Sequence, residues 1–148
     1  LRYPFRQRWT GVMADELGEG YQVIEEGLSA RTTSADDTND PRLNGSAYLP
    51  AALASHLPLD LVILMLGTND TKPYFNRGPY DISFGMSKLV GQVLTVSGGV
   101  GTPYPAPKCL VIAPPPLAPI PRPTAQEVVC VATYLSTGPK VIVGEAIA

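Results

Sequence analysis

Between Leu59 and Leu66 the chain is almost wholly apolar, with Asp60 the one interruption, and the run stops at Gly67-Thr68-Asn69-Asp70. A short apolar run without alternation fits a strand whose two faces are both covered. Helices must then lie on either side of the sheet, which selects an α/β layer architecture. The flanks agree. Trp9, Val12, Met13 and Leu17 fall on one helical face, and Gly18 and Gly20 supply a stop signal. Val23 and Ile24, within Tyr21 to Glu26, predict a short strand ending at Gly27. A helical stretch is expected around Leu49 to His56. A second amphipathic helix is expected from Asp81 as N-cap, burying Ile82, Met86, Leu89, Val90, Val93 and Leu94. Leu110 to Ala113 predicts a further buried strand, broken by Pro114-Pro115-Pro116. Strand and helix alternate, so the segments near Val23, Leu61 and Leu110 are expected to be parallel strands of one sheet.

Composition narrows the function classes. With 148 residues and 45% hydrophobic content, the chain is expected to form one domain. The net charge of -2 leaves no electrostatic footprint for nucleic acid and no polybasic face for anionic lipid. Leu61 to Leu66 is too short to span a membrane, and no hydrophobic signal core follows a basic N-terminus. Cys109 and Cys130 lie in apolar runs and form no CxxC pair, so they read as small core residues in a reducing, cytoplasmic compartment. The 16 prolines and 14 glycines cluster at segment ends and read as loop punctuation.

Two polar segments sit where open α/β sheets keep their chemistry, just past strand ends. One is Gly67-Thr68-Asn69-Asp70. An asparagine there can aim its amide N–H into a crevice and stabilise the oxyanion of a tetrahedral acyl-transfer intermediate. Taken alone, the same tetrapeptide is a turn and helix-cap signal. The other segment is Gly27-Leu28-Ser29-Ala30-Arg31-Thr32-Thr33, which opens the polar loop running to Asn44.

Together and in this order, the two segments match the second and third sequence blocks of SGNH (GDSL-like) hydrolases. Arg8-Trp9-Thr10-Gly11-Val12, Asp40-Pro41-Arg42-Leu43-Asn44-Gly45 and Tyr104-Pro105-Ala106-Pro107-Lys108 extend the match, and from Tyr3 to Pro123 the chain resembles the arylesterase and acyltransferase branch. The resemblance implies a three-layer α/β/α domain with a flavodoxin-like parallel sheet, incomplete or with a rearranged strand. Residues 1–123 would form its family-like core and 124–148 a divergent tail. It implies hydrolysis or transfer of short acyl or aryl esters through a serine acyl-enzyme. The substrate is a small-molecule ester, no cofactor or metal is needed, and a homo-oligomer is left open. By position, Asn69 corresponds to the side-chain oxyanion donor and Ala30 to the block-two glycine, whose backbone N–H is the second donor. Ser29, Thr68 and Lys72 correspond to pocket-lining residues, although a lysine after a turn also reads as simply solvated.

The sequence departs from the pattern at both ends. The family's Gly-Asp-Ser-Leu block is expected ahead of Leu1, and its Asp-x-x-His block after Pro123, where Thr124 to Ala148 has no histidine. His56, the single histidine, reads as a helix-end residue. Ser29 has no histidine placed by motif to deprotonate it. These residues alone are therefore expected to be nearly inactive, as an incomplete or altered esterase, or as a non-catalytic remnant serving binding or oligomerisation. Val128 to Leu135 and Lys140 to Val143 predict two more strands. Val141 to Ala148 parallels an apolar strand followed by Gly-Asp-Ser-Leu, with Glu145 and Ala146 in place of aspartate and serine. A relocated first strand would fill the gap of about 9.5 Å expected between the strands near Val23 and Leu61. A valine-rich strand ending in glycine is also common in its own right.

Overall fold

The chain's apolar pattern dictates a strand, a covering helix and a second strand, and a computed structural model, which describes residues 3–98, 101 and 103–114, contains that unit. Strand β1 (Leu61–Leu64) leads through a long helix (Pro79–Thr95) to strand β2 (Lys108–Val111). The two strands pair in parallel, with Leu61 opposite Lys108 and Leu64 opposite Val111. Two helices precede the unit, α1 (Trp9–Leu17) and α2 (Gly45–His56), so the long helix is α3. None of the helices among the described residues is long and apolar enough to cross a membrane.

The core gathers where α2 and α3 cover the sheet. Leu53 of α2, Leu64 and Leu66 from β1 and its exit, Met86, Leu89 and Val93 of α3, and Cys109 of β2 form one buried cluster. The α3 residues recur at helical spacing, which seats one face of α3 on the sheet. Leu94 falls off that face and is 53% exposed, contrary to the sequence expectation, and Val90 is half-buried. The start of α3 also differs from expectation. Gly78 is the N-cap and Pro79 the first residue, while Asp81 sits in the first turn and accepts a hydrogen bond from the Gly78 N–H at 2.9 Å. An acid in that turn also complements the helix dipole.

Helix α2 begins four residues before the apolar stretch that announces it. Asn44 caps it by accepting from the Ala47 N–H at 3.2 Å. Pro50 lies inside this helix and has no N–H to offer the Ser46 carbonyl. Gln92 of α3 supplies the missing donor, its amide reaching that carbonyl at 2.8 Å. The break in one helix is thus closed by a side chain of its neighbour.

Two expectations need correction. Residues 21–28 form no strand and join no strand ladder among the described residues. A strand needs a ladder partner or a covered face, and here Ile24 is 41% exposed. The segment is held by its acids instead. Glu25 accepts from Arg8 and Thr10 at the start of α1, and Glu26 accepts from Tyr48 of α2 and lies 2.7 Å from His56. Helix α1 forms where expected, but Val12 and Leu17 are exposed, and Thr10 and Gly11 are its buried residues. Gly11 lies so close to the preceding turn that a Cβ would sit 1.9 Å from the Phe5 carbonyl oxygen. Cys109 is a free, buried thiol, which burial pushes up to about 11. Cys130 and the expectations for Val128 to Leu135, Lys140 to Val143 and Val141 to Ala148 lie outside the described residues.

Gly85 fixes how closely α3 approaches the polar loop. A Cβ there would lie 2.2 Å from Thr33 Oγ1 and 2.6 Å from Ser34 Oγ. Gly85→Ala gains about 1 kcal/mol of helix propensity but overpacks a buried contact, at a cost of about 1–3 kcal/mol. Denaturant titration is expected to show net destabilisation; a variant stabilised by the full propensity gain would show that α3 is not seated this way.

Candidate functional site

The loop from Gly27 to Asn44 has little apolar material to bury, so its place must be set by polar bonds to buried groups. Arg31 is its first anchor. This buried guanidinium donates to the Glu26 carbonyl at 2.6 Å and the Arg42 carbonyl at 3.2 Å, and stacks over the Tyr48 ring at 4.1 Å. Thr32 and Thr33 follow, both fully buried. The Thr32 N–H donates to the Leu43 carbonyl, and the Thr32 and Thr33 carbonyls accept from the N–H groups of Gly45 and Ser46. The loop therefore supplies acceptors to otherwise orphaned donors at the start of α2.

A second segment meets it from the end of β1. Gly67 turns the chain with φ of +120°, and the following turn spans Asn69–Thr71. Asn69 is buried, and its side-chain Nδ2 donates to the Arg31 carbonyl at 3.2 Å. Asp70 is fully buried. Its two carboxylate oxygens accept from the Thr33 N–H at 3.1 and 2.9 Å, and one also accepts from the Thr33 hydroxyl at 2.6 Å. Arg77 Nη1 lies 3.7 Å from the same carboxylate and donates to Ser34 Oγ at 3.0 Å. Burial pushes the Asp70 carboxyl above its ordinary range, and the Thr33 bonds and the Arg77 charge pull against that shift.

The five site residues expected from sequence are distributed as follows. Asn69 meets the segment that carries Ala30 through its bond to the carbonyl of Arg31, the residue after Ala30. Ala30 has φ of 71°, a left-handed conformation that glycine adopts freely and alanine does not. Its N–H donates to none of the described residues. Ser29 is exposed beside it, while Thr68 and Lys72 are half-buried on either side of the Asn69 turn. No hydrogen bond links Ser29, Thr68 or Lys72 side chains to one another among the described residues. Two surface cavities of about 400 Å³ each lie elsewhere, one beside Arg77 and Phe84, the other beside Asp37 and Tyr74. His56 stands at the end of α2 against Glu26, as its helix-end reading requires. Thr33, Asp70 and Arg77 received no role from the sequence. The only available signal was an aspartate following an apolar strand and a threonine pair in a polar loop, which fixes no pairing. Among the described residues no group of three or more His, Cys, Asp or Glu could hold a metal ion.

Comparison with known proteins adds to this geometry. The GDSL-like Lipase/Acylhydrolase family model matches residues 4–134. A solved structure of the inhibitor-bound aryl esterase of M. smegmatis is 60% identical, with TM-score 0.86, over 92% of this chain and 67% of that one. Est24, a carbohydrate acetylesterase from Sinorhizobium meliloti, is 61% identical with TM-score 0.81 over 99% of this chain and 73% of its own. A carbohydrate acetylesterase family member from the same organism is 32% identical with TM-score 0.81, over 90% and 66% of the two chains. A comparison with curated proteins found no match. These likenesses extend the observed helices and parallel strands to the three-layer α/β/α fold expected from sequence.

Two outcomes are expected from this geometry. Ala30→Gly removes the left-handed strain and should raise stability by about 0.5–1 kcal/mol in urea titration, after the added unfolded-state entropy of glycine; a loss of that size would place Ala30 in an ordinary conformation. The second concerns Glu26. Burial pushes its carboxyl up, but hydrogen bonds from Tyr48 and His56, with the charges of His56 and Arg31, outweigh burial and hold it below its ordinary value of 4.5. The stability it contributes is present above that ordinary value and lost as pH falls through the lowered one. Glu26→Gln should therefore flatten the acid limb of the stability profile below about pH 5. An acid limb as steep as the parent's would remove the cluster from the account.

Proposed function

The chain belongs to the GDSL-like lipase/acylhydrolase family, and from that premise we propose that it carries the oxyanion hole of a carboxylester hydrolase or acyltransferase acting on short acyl or aryl esters. The observation that carries this reading is the tether of Asn69 to the Arg31 carbonyl at 3.2 Å, beside the left-handed Ala30. An amide nitrogen holds two N–H groups. One on Arg31 fixes the side chain's orientation, and the second is left for a developing oxyanion, with the Ala30 N–H as its companion. Donors fixed before the reaction need no reorganisation when charge develops, which is why such groups lower the barrier.

Ser29, Thr68 and Lys72 flank the two donors in sequence and would line the ester's acyl or alcohol side. The aryl esterase and carbohydrate acetylesterase relatives support a small-molecule ester as the substrate. A free, buried Cys109 fits a reducing, cytoplasmic setting.

The acyl-enzyme route also needs a serine activated by a base. His56, the single histidine, lies against Glu26, and among the described residues no serine hydroxyl is hydrogen-bonded to it. No nucleophile or base is assigned among the described residues. A polypeptide of this sequence alone is then expected to hydrolyse p-nitrophenyl acetate only at the weak residual rate that an oxyanion hole and binding give. Enzyme-like turnover abolished by stoichiometric phosphonate labelling of Ser29, or of another serine here, would overturn that assignment. In a full chain that does hydrolyse the ester, Asn69→Ala should lower kcat by roughly 10²-fold or more. An unchanged kcat would remove Asn69 from the mechanism.

A further inference from the structure

We propose that Asp70 is the positioning residue of the oxyanion hole, clamping the loop that carries Ala30 to the turn that carries Asn69; this rests on the reading of those two donors given above. Asp70 follows Asn69 directly, and Thr33 lies three residues after Ala30, so each end of the clamp is covalently close to a donor. Three residues of chain span at most about 10 Å, which leaves Ala30 little freedom once Thr33 is fixed.

The clamp is doubly registered. Asn69 holds the Arg31 carbonyl at 3.2 Å, and Asp70 holds the Thr33 N–H and hydroxyl. Adjacent residues of the turn thus grip alternate residues of the loop, and a one-residue slip would break both grips. The far side is closed as well. Arg77 bonds Ser34 and approaches Asp70 at 3.7 Å, while Gly85 of α3 lets the helix backbone press against Thr33 and Ser34.

The choice of an acid is informative. A carboxylate withdrawn from water costs several kcal/mol unless it is hydrogen-bonded and paired, so stability alone is a weak reason to keep one fully buried. What a carboxylate adds is geometry. It offers acceptor sites on both oxygens and can receive an N–H and an O–H of one residue together, whereas an asparagine of the same shape turns one of those atoms into a donor. Displacing reacting groups by about 1 Å can cost about 10²-fold in rate, which makes such a clamp consequential for catalysis.

The test compares Asp70→Asn, Thr33→Val and Thr33→Ser with the parent in the full chain. Each variant's thermal unfolding, its kcat and KM for p-nitrophenyl acetate, and the NMR signals of the Ala30 N–H and the Asn69 side-chain amide are measured. The proposal expects folded Asp70→Asn to lose about 10- to 100-fold in kcat with KM changed less than about threefold, and both amide signals to move. It expects Thr33→Ser, which keeps the hydroxyl, to recover most of the kcat lost in Thr33→Val. Unmoved amide signals with an unchanged kcat in folded Asp70→Asn overturn it. If that variant does not fold, the two Thr33 variants decide by the same criteria. If the parent itself hydrolyses no ester, the esterase reading fails separately, and the amide signals alone decide the clamp: moved supports it, unmoved overturns it.

Discussion

A buried carboxylate bonded to a backbone amide 37 residues away in sequence holds together the two segments of the candidate site. The loop from Gly27 to Asn44 buries Ala35 as its one buried apolar side chain, so the hydrophobic effect gives it little reason to adopt one shape. Its shape comes from polar bonds shielded from water: Asp70 to Thr33, Asn69 to Arg31, and the Thr32 and Thr33 carbonyls to the start of α2. In the dry interior such bonds strengthen, and each orphaned partner would cost about 1–3 kcal/mol. Thr32, Thr33 and Asp70 expose no surface to water, which gives that dryness. Packing therefore acts on the site indirectly, by excluding water from the bonds that shape it.

The same logic explains which features the sequence disclosed. Helix α3 was readable because burial writes a period into the chain, carried by Ile82, Met86, Leu89 and Val93, and the two strands were readable as short apolar runs without alternation. Helix boundaries were less readable. The start of α2 rests on the Asn44 cap, and its continuity through Pro50 depends on Gln92 of α3, which is 46 positions from the Ser46 carbonyl it reaches. The segment near Val23 has strand-like residues but joins no strand ladder among the described residues, and β-branched composition alone cannot create one.

The candidate site was proposed from the sequence for a different reason. Asn69 and Ala30 were found through the resemblance to the GDSL-like family, not through periodicity. Asp70 and Thr33 stood inside the same two motifs without a role, because a long-range polar pair leaves no spacing signal. Ala30 shows the reverse case. Its alanine in a glycine-like conformation is a local conflict between residue and backbone, tolerated where the surrounding loop is fixed by its other bonds.

The central claim is that the Ala30 N–H and the Asn69 amide serve one oxyanion. The most direct measurement is a structure of the full chain carrying a tetrahedral phosphonate adduct of its nucleophile. The account predicts a phosphonyl oxygen about 2.7–3.1 Å from both the Ala30 nitrogen and the Asn69 Nδ2. An adduct oxygen bound by other groups, with these two nitrogens facing away from it, would contradict the account.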